Sequence, residues 1–293
     1  MSEVSRGTAR PVAERESTMP LAPEIARQDG FPGRRPPRLE ARAVSKIFEG
    51  TAGVVEALSN ISIVAAAGEF VTIVGPSGCG KSTLLELLAG LQSPTSGAVL
   101  VDGMESAGQV GAVGYMPQKD LLLPWRSVLD NTILGLEVAG TPRKRARQEA
   151  LGWFPRFGLE GFEEHYPATL SGGMRQRASL LRTFLSGRQI LVLDEPFGAL
   201  DALTRAQMQE WLLGIQDEFH KTIVLVTHDV DEALYLADRV YLMTARPGSI
   251  SGMLHVPLDR PRRYREIVTS PTFIALKRSL LEGLIQPSPG DPA

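Results

Sequence analysis

The chain has 293 residues, 43% hydrophobic and 22% charged, with 31 Lys+Arg against 33 Asp+Glu. Those proportions belong to a globular protein with one large core or two modest ones. The formal charge of -2 leaves no broad positive field for nucleic-acid phosphates, and a single cysteine, Cys79, excludes an internal disulfide and fits a reducing cytosol.

The opening stretch, Met1 to Arg38, is rich in Arg, Glu, Pro, Ala and Gly without a continuous apolar segment. It reads as a disordered extension (1–38) rather than a secretory signal, because such a composition buries too little apolar surface to fold. A targeting or docking role is the other reading. Order is expected from about Leu39, with strand at Val44–Phe48, a loop at Gly50–Gly53 and strand again at Ala57–Val64. Glu69–Val74 is a short continuous apolar run, the pattern of a strand covered on both faces. Ser82–Ala89 reads as a helix stopped by Gly90. Ser93–Gly97 is a turn, Ala98–Val101 a strand closed by Asp102-Gly103, and Val110–Met116 a strand that reaches Gln118. From about Leu121 to Arg182 the pattern is helical. Thr141-Pro142 looks like an N-cap with proline at N1, and the basic Arg143–Arg147 looks like a solvated helix face. Ile190–Asp194 and Thr222–Val226 are further apolar strands, with helices at Ala206–Phe219 and Asp229–Ala237. No apolar run approaches the ~20 residues of a membrane-spanning helix. The alternation of strand and helix predicts an α/β fold with a mainly parallel sheet.

Three of the buried strands end in chemistry. Gly75-Pro76-Ser77-Gly78-Cys79-Gly80-Lys81-Ser82-Thr83 matches G-x-x-x-x-G-K-[ST], in which backbone N–H groups and a helix N-terminus cradle phosphates. Lys81 would reach the β/γ-phosphates and Ser82 would hold Mg²⁺. Cys79 occupies a variable position and reads as a backbone donor rather than a reactive thiol. Asp194-Glu195 follow ILVL, offering one carboxylate for a metal shell and one to polarise a water. His228 follows the third strand, whereas His165, His220 and His255 read as structural. Ligands in open parallel sheets bind beyond the carboxyl ends of the strands, so three such ends point to one site. Between them lies Leu170–Arg177, LSGGMRQR, a serine-glycine helix start that the phosphate loop leaves without a task in its own site.

With these strings the chain resembles the ATP-binding-cassette (ABC) ATPases over roughly Leu39 to Gly248. The resemblance implies a P-loop NTPase (RecA-like) core with a mainly parallel sheet, an antiparallel β part and an inserted helical subdomain at about 119–182. The cassette would occupy 39–260, and a helical tail 261–293. It implies that Asp194 serves Mg²⁺, that Glu195 is the catalytic base, and that His228 contacts the γ-phosphate and links it to Glu195. Gln118 is implied as a Mg²⁺ and water ligand. Ser171, Gly172 and Gly173 would close over the ATP of a second copy, so that two ATPs join two subunits head to tail, with Asp201 of Gly198–Asp201 crossing the same interface. Met174 stands where many members carry Gln. Phe48 takes the position that stacks on adenine; a core phenylalanine is the other reading.

Gln118–Glu137, Ala245–Ile250 (ARPGSI) and Pro257–Arg262 (PLDRPR) look like the ATPases of nitrate, sulfonate and taurine importers, whose relatives serve bicarbonate, cyanate or thiamine-precursor pyrimidines. The implied protein is an ATP-hydrolysing, energy-coupling subunit of a bacterial importer, peripheral on the cytoplasmic face of the membrane. Its partners would be a second copy of itself, transmembrane permease subunits and, indirectly, an extracytoplasmic solute-binding protein. The segment Leu122–Trp125 would meet the permease, a core role being its other reading. The alternative is a soluble ABC ATPase acting on nucleic acid or ribosomes, but neither a long coiled-coil insertion nor a second cassette is visible.

Overall fold

The apolar runs predicted as doubly covered strands form the middle of a six-stranded sheet. In this computed structural model the described residues are 36–50, 53–106 and 108–285, so almost all of the expected N-terminal extension lies outside them. Strands β1 (Pro37–Gly50) and β2 (Gly53–Ala66) make an antiparallel pair. They are followed by β3 (Phe70–Val74), helix α1 (Lys81–Leu88), β4 (Ser96–Val101), β5 (Met104–Glu105) and β6 (Gly114–Met116). A helical stretch holds α2 (Val128–Thr132), α3 (Leu134–Val138), α4 (Arg143–Leu151) and α5 (Gly172–Phe184). The chain then alternates through β7 (Ile190–Asp194), α6 (Ala202–Phe219), β8 (Thr222–Thr227), α7 (Val230–Leu236), β9 (Arg239–Met243) and β10 (Ile250–His255), and closes with α8 (Tyr264–Ile267) and α9 (Pro271–Ile285).

The large sheet has the order β10-β9-β3-β8-β7-β6, parallel except for β10. The smaller, antiparallel sheet runs β2-β1-β4-β5. Strand parity sorts the side chains between two cores. Val71, Ile73, Val192, Val224 and Val226 meet α1 and the small sheet. Phe70, Val74, Leu191, Leu193, Ile223 and Leu225 meet the helices on the other face. Every residue of β3, β7 and β8 is buried, which explains their unbroken hydrophobic runs.

Several boundaries differ from the sequence reading. The expected strand Val110–Met116 shrinks to Gly114–Met116, because Gly111 takes a left-handed φ of 93° and Val110 is exposed. Helix does not begin at Leu121 but at Val128, with Ser127 accepting from the Asp130 N–H as its cap. Helix α4 starts at Arg143, one residue later than expected. Pro142, with an extended ψ of 133°, is itself the cap residue, and no side chain caps this end, so Thr141 is not the N-cap. Nor is the basic face of α4 simply solvated: Arg143 and Arg147 pair with Asp130, and Arg147 also with Glu164. Strands β5, β9 and β10 were not foreseen.

The C-terminal segment packs as a clasp on α7. Phe273, Leu276 and Leu280 of α9 are buried, and Lys277 pairs with Asp231 in the first turn of α7 at 2.7 Å. At the other end Arg262, its side chain fully buried, donates to the carbonyls of Tyr235 (2.9 Å) and Ala237 (2.8 Å) and to that of Leu258 at 3.0 Å. Burial, aided by Arg260, lowers its pKa to about 10, so it stays charged at neutral pH. The last carbonyls of a helix need such donors. Arg262→Ala is therefore expected to destabilise the protein by about 1–3 kcal/mol for the orphaned carbonyls, read as a lower urea midpoint.

Candidate active site

Pairing places the ends of β3, β8 and β7 side by side: Val74 is opposite Thr227, and Val226 opposite Asp194. Between β3 and α1 the phosphate loop arches outward, with Pro76, Ser77 and Gly78 exposed and Cys79 buried. Burial pushes the Cys79 thiol up, which keeps it protonated and leaves its N–H as its useful group. Gly80 precedes α1 at φ 102°, and a Cβ there would lie 2.8 Å from Leu58, so glycine is required. No side chain caps α1; its first N–H groups stay free for an anion. Lys81 folds back to donate to the carbonyls of Gly75 and Pro76, both at 2.8 Å. A phosphate offers that ammonium stronger acceptors at the same mouth.

Parity directs Asp194 to the α1 side of the sheet, toward Ser82 and Lys81 at the start of that helix. The carboxylate is 3% exposed. Burial pushes its pKa up, the Glu195 charge adds to this, and the Ser82 bond and Lys81 oppose it. A buried carboxylate beside a hydroxyl is a hard-oxygen donor pair, which fits Mg²⁺ better than a softer metal.

Glu195 leaves the strand with φ 46°, a left-handed conformation that costs a non-glycine residue roughly 1–2 kcal/mol. This turn takes Glu195 out of the strand's alternation and brings its carboxylate between two partners. One oxygen accepts from Gln118 Nε2 at 3.2 Å, and the other lies 3.0 Å from His228 Nδ1. Gln118, Glu195 and His228, far apart in sequence, thus share one carboxylate beside Asp194, Ser82 and Lys81.

The remaining candidates stand apart from this cluster. Ser171 caps α5, its hydroxyl accepting from the Met174 N–H at 3.2 Å, and Gly173 lies against Leu200. Asp201 caps α6 by accepting from the Thr204 N–H at 3.0 Å, which holds its carboxyl below the usual range. The Ser171–Gly173 turn, the signature turn hereafter, and the Gly198–Asp201 loop are therefore neighbours. Phe48 is 40% exposed, with Lys46 Nζ 5.1 Å from its ring centroid, so the core reading fails.

Other contributors carried no readable motif. A small cleft opens beside Glu195, walled by Gly198, Arg205, His228, Asp229 and Glu232. Glu232 is buried, accepts from Gln209 at 2.9 Å and is pushed up by that burial, while Arg205 pairs with Asp229 at 3.6 Å. Gly248 supports the phosphate loop from beneath: a Cβ there would sit 2.2 Å from the Cys79 carbonyl oxygen. The sequence signal for Gly248 was the ARPGSI string, legible as a subfamily mark but silent about this contact.

A phosphate loop opening a helix, with a buried strand-end carboxylate on the same face, defines a P-loop nucleoside triphosphatase. The ABC transporter family model matches residues 58–198. An ABC transporter ATP-binding protein of Methanocaldococcus jannaschii is 45% identical over 244 residues, 83% of this chain and 90% of that one. The aliphatic sulfonates import ATP-binding protein of Bacillus thuringiensis is 40% identical, covering 84% and 97%. The taurine import ATP-binding protein of Yersinia pestis is 42% identical, covering 78% and 92%. A bacterial ABC transporter cassette solved as a dimer superposes with a TM-score of 0.69 at 29% identity, over 75% of this chain and all of that one. A post-hydrolysis state of that cassette, bound to ADP and Pi, gives 0.68 at 28% identity. The chain belongs to the ABC transporter family and is one of its ATP-binding ATPases.

Lys81 is expected to offset phosphate charge before any bond breaks. Lys81→Ala is expected to abolish measurable ATP binding in calorimetry while leaving the thermal unfolding midpoint close to that of the parent; unchanged ATP affinity would refute the cradle.

Proposed function

We propose that this protein is the energy-coupling ATPase of an importer for a sulfonate, taurine, nitrate or a related small solute. It sits at the cytoplasmic face of the membrane beneath transmembrane permease subunits that receive solute from an extracytoplasmic binding protein. The sulfonate and taurine importer ATPases among its relatives support the solute class. Among the described residues no helix is long and apolar enough to cross a membrane, so the reading gives the crossing to other chains. Trp125 (72% exposed) and Leu121 (59%) present an apolar surface beside Gln118, suited to a permease, whereas Leu122 of the same segment is buried in the core.

The observation that carries the reading is the Glu195 carboxylate held between Gln118 and His228. In our reading the Gly75–Thr83 loop binds the triphosphate through backbone N–H groups and Lys81. Ser82, Asp194 and Gln118 hold the metal. A magnesium ion held there would supply positive charge to offset that of the triphosphate. Glu195 takes the proton of a water aimed at the γ-phosphate, and His228 holds Glu195 in place while facing that phosphate. Phe48 stacks on adenine. Two copies meet head to tail, so that Ser171, Gly172 and Gly173 of one, with Asp201 nearby, close over the ATP of the other; the dimeric structural neighbour supports this arrangement.

Glu195→Gln keeps the shape and removes the base. It is expected to bind ATP as the parent does, to hydrolyse it at least about 100-fold more slowly, and to accumulate as an ATP-dependent dimer in light scattering. Near-parental turnover would remove Glu195 from the role of base. The trans role of the signature turn has its own test. Adding Ser171→Arg to Glu195→Gln is expected to leave monomer ATP binding intact and to prevent dimerisation; a double variant that dimerised as tightly as Glu195→Gln alone would refute that role.

A further inference from the structure

Glu195 needs its left-handed backbone to aim its carboxylate, and little in its own sequence enforces that conformation. Its N–H donates to the Val226 carbonyl at 3.0 Å, and its carbonyl accepts from the Gly198 N–H at a long 3.2 Å. A second donor reaches the same carbonyl from a different element. Gln176 Nε2 of α5 donates to the Glu195 carbonyl at 2.9 Å, while its Oε1 accepts from the Ala199 N–H at 2.8 Å. The side chain is 7% exposed. Its amide orientation is unambiguous, because a backbone carbonyl only accepts and a backbone N–H only donates. One glutamine thus spans the turn from Glu195 to Ala199 and satisfies both of its ends.

The helix that carries Gln176 is the one that Ser171 opens. The same helix grips the segment after Gln118: Arg175 pairs with Asp120 at 3.0 Å, and Arg182 donates to the carbonyls of Asp120 (2.6 Å) and Leu121 (2.7 Å). Both the backbone of Glu195 and the loop bearing its partner Gln118 therefore refer to α5.

We propose that Gln176 is a positioning residue for hydrolysis: its amide, carried on the signature helix, holds the Glu195–Ala199 turn in the conformation that places the Glu195 carboxylate between Gln118 and His228. The inference rests on the reading of Glu195 as the base and goes beyond it. In the head-to-tail dimer, the helix that closes over the partner copy's ATP is joined by one side chain to the base that acts on this copy's own ATP. Occupancy of one site is thereby felt as the aim of Glu195 at the other.

The test compares Gln176→Met and Gln176→Glu in the full chain. Methionine keeps the length and loses both hydrogen bonds. Glutamate keeps an acceptor for Ala199 and turns an oxygen toward the Glu195 carbonyl in place of the donor. Both variants are expected to lose kcat by on the order of tenfold to a hundredfold, as misplacement of a reacting group does. ATP Kd, measured by calorimetry in the Glu195→Gln background, is expected to change by less than about twofold, since the phosphate loop is untouched. Urea midpoints are recorded for each, and rates are compared below them; if one variant fails to fold, the other carries the comparison. Parental kcat in a folded Gln176→Met protein overturns the proposal. So does parental kcat in Gln176→Glu, which would assign the role to the Ala199 contact instead, and so does a loss of kcat matched by an equal loss of ATP affinity. Undiminished hydrolysis by Glu195→Gln overturns the underlying reading and this inference together, whereas failure of the Gln176 variants alone leaves Glu195 as the base.

Discussion

The constraint on which this site depends is the placement of two adjacent carboxylates at the end of a strand with no access to water. Period-two alternation would point consecutive residues to opposite faces of the sheet, one toward α1 and the other into the helical core. A charge in that core would cost far more than its neighbours could repay. The chain resolves the conflict in backbone geometry. Asp194 completes the strand on the α1 side against Ser82, and Glu195 leaves the sheet at a left-handed φ of 46° that keeps its carboxylate at the rim. The rest of the site is arranged around that bend. The Gln118 loop and the turn before α7 converge on one oxygen each of the same carboxylate, and both of their side chains are neutral donors when His228 is uncharged.

The two halves of the molecule are held by different physics. Between the sheets, α1 is packed by aliphatic side chains from both, so the phosphate loop rests on a rigid floor. The α2–α5 region is joined to the sheet's other core through aromatic packing onto α6, with Trp153 edge-on to Phe184 at 4.7 Å and Phe157 edge-on to Trp211 of α6 at 4.1 Å. Its outer turns are fastened by ionic pairs, among them Arg126 with Glu137 at 2.5 Å. Contacts of this second kind break and reform more cheaply than close-packed aliphatics.

The sequence was most legible where one physical requirement has one solution. Continuous apolar runs at Glu69–Val74, Ile190–Asp194 and Thr222–Val226 are too short for buried helices and read as doubly covered strands, and the G-x-x-x-x-G-K-S-T string sets a loop between strand and helix. Asp194, Glu195 and His228 stood at the ends of such strands, whereas Gln118 was named only through the family resemblance. What stayed hidden depends on three dimensions. Strand β9 carries Arg239 and Tyr241, whose polar ends disguise a fully buried strand; Glu69, 2.8 Å from Arg239, is the partner that allows it. The cap of α4 was misread because proline is compatible with both N1 and the residue before it. Gln176 sat inside a string already recognised, yet nothing in a linear reading separates a side chain turned outward from one spanning two backbone groups of a distant turn.

The clasp that α9 and the residues around Arg262 make on α7 bears on the order in which the site is built. A ribosome releases the phosphate loop, the signature helix and the Asp194-Glu195 strand well before it releases Arg262 and Lys277. The helix that follows His228 has neither of its end contacts until those residues emerge. Both ends of the helix that follows His228 thus depend on residues that come after it in the chain, so its fastening is complete only once the segment from Arg262 to Lys277 has folded back onto it.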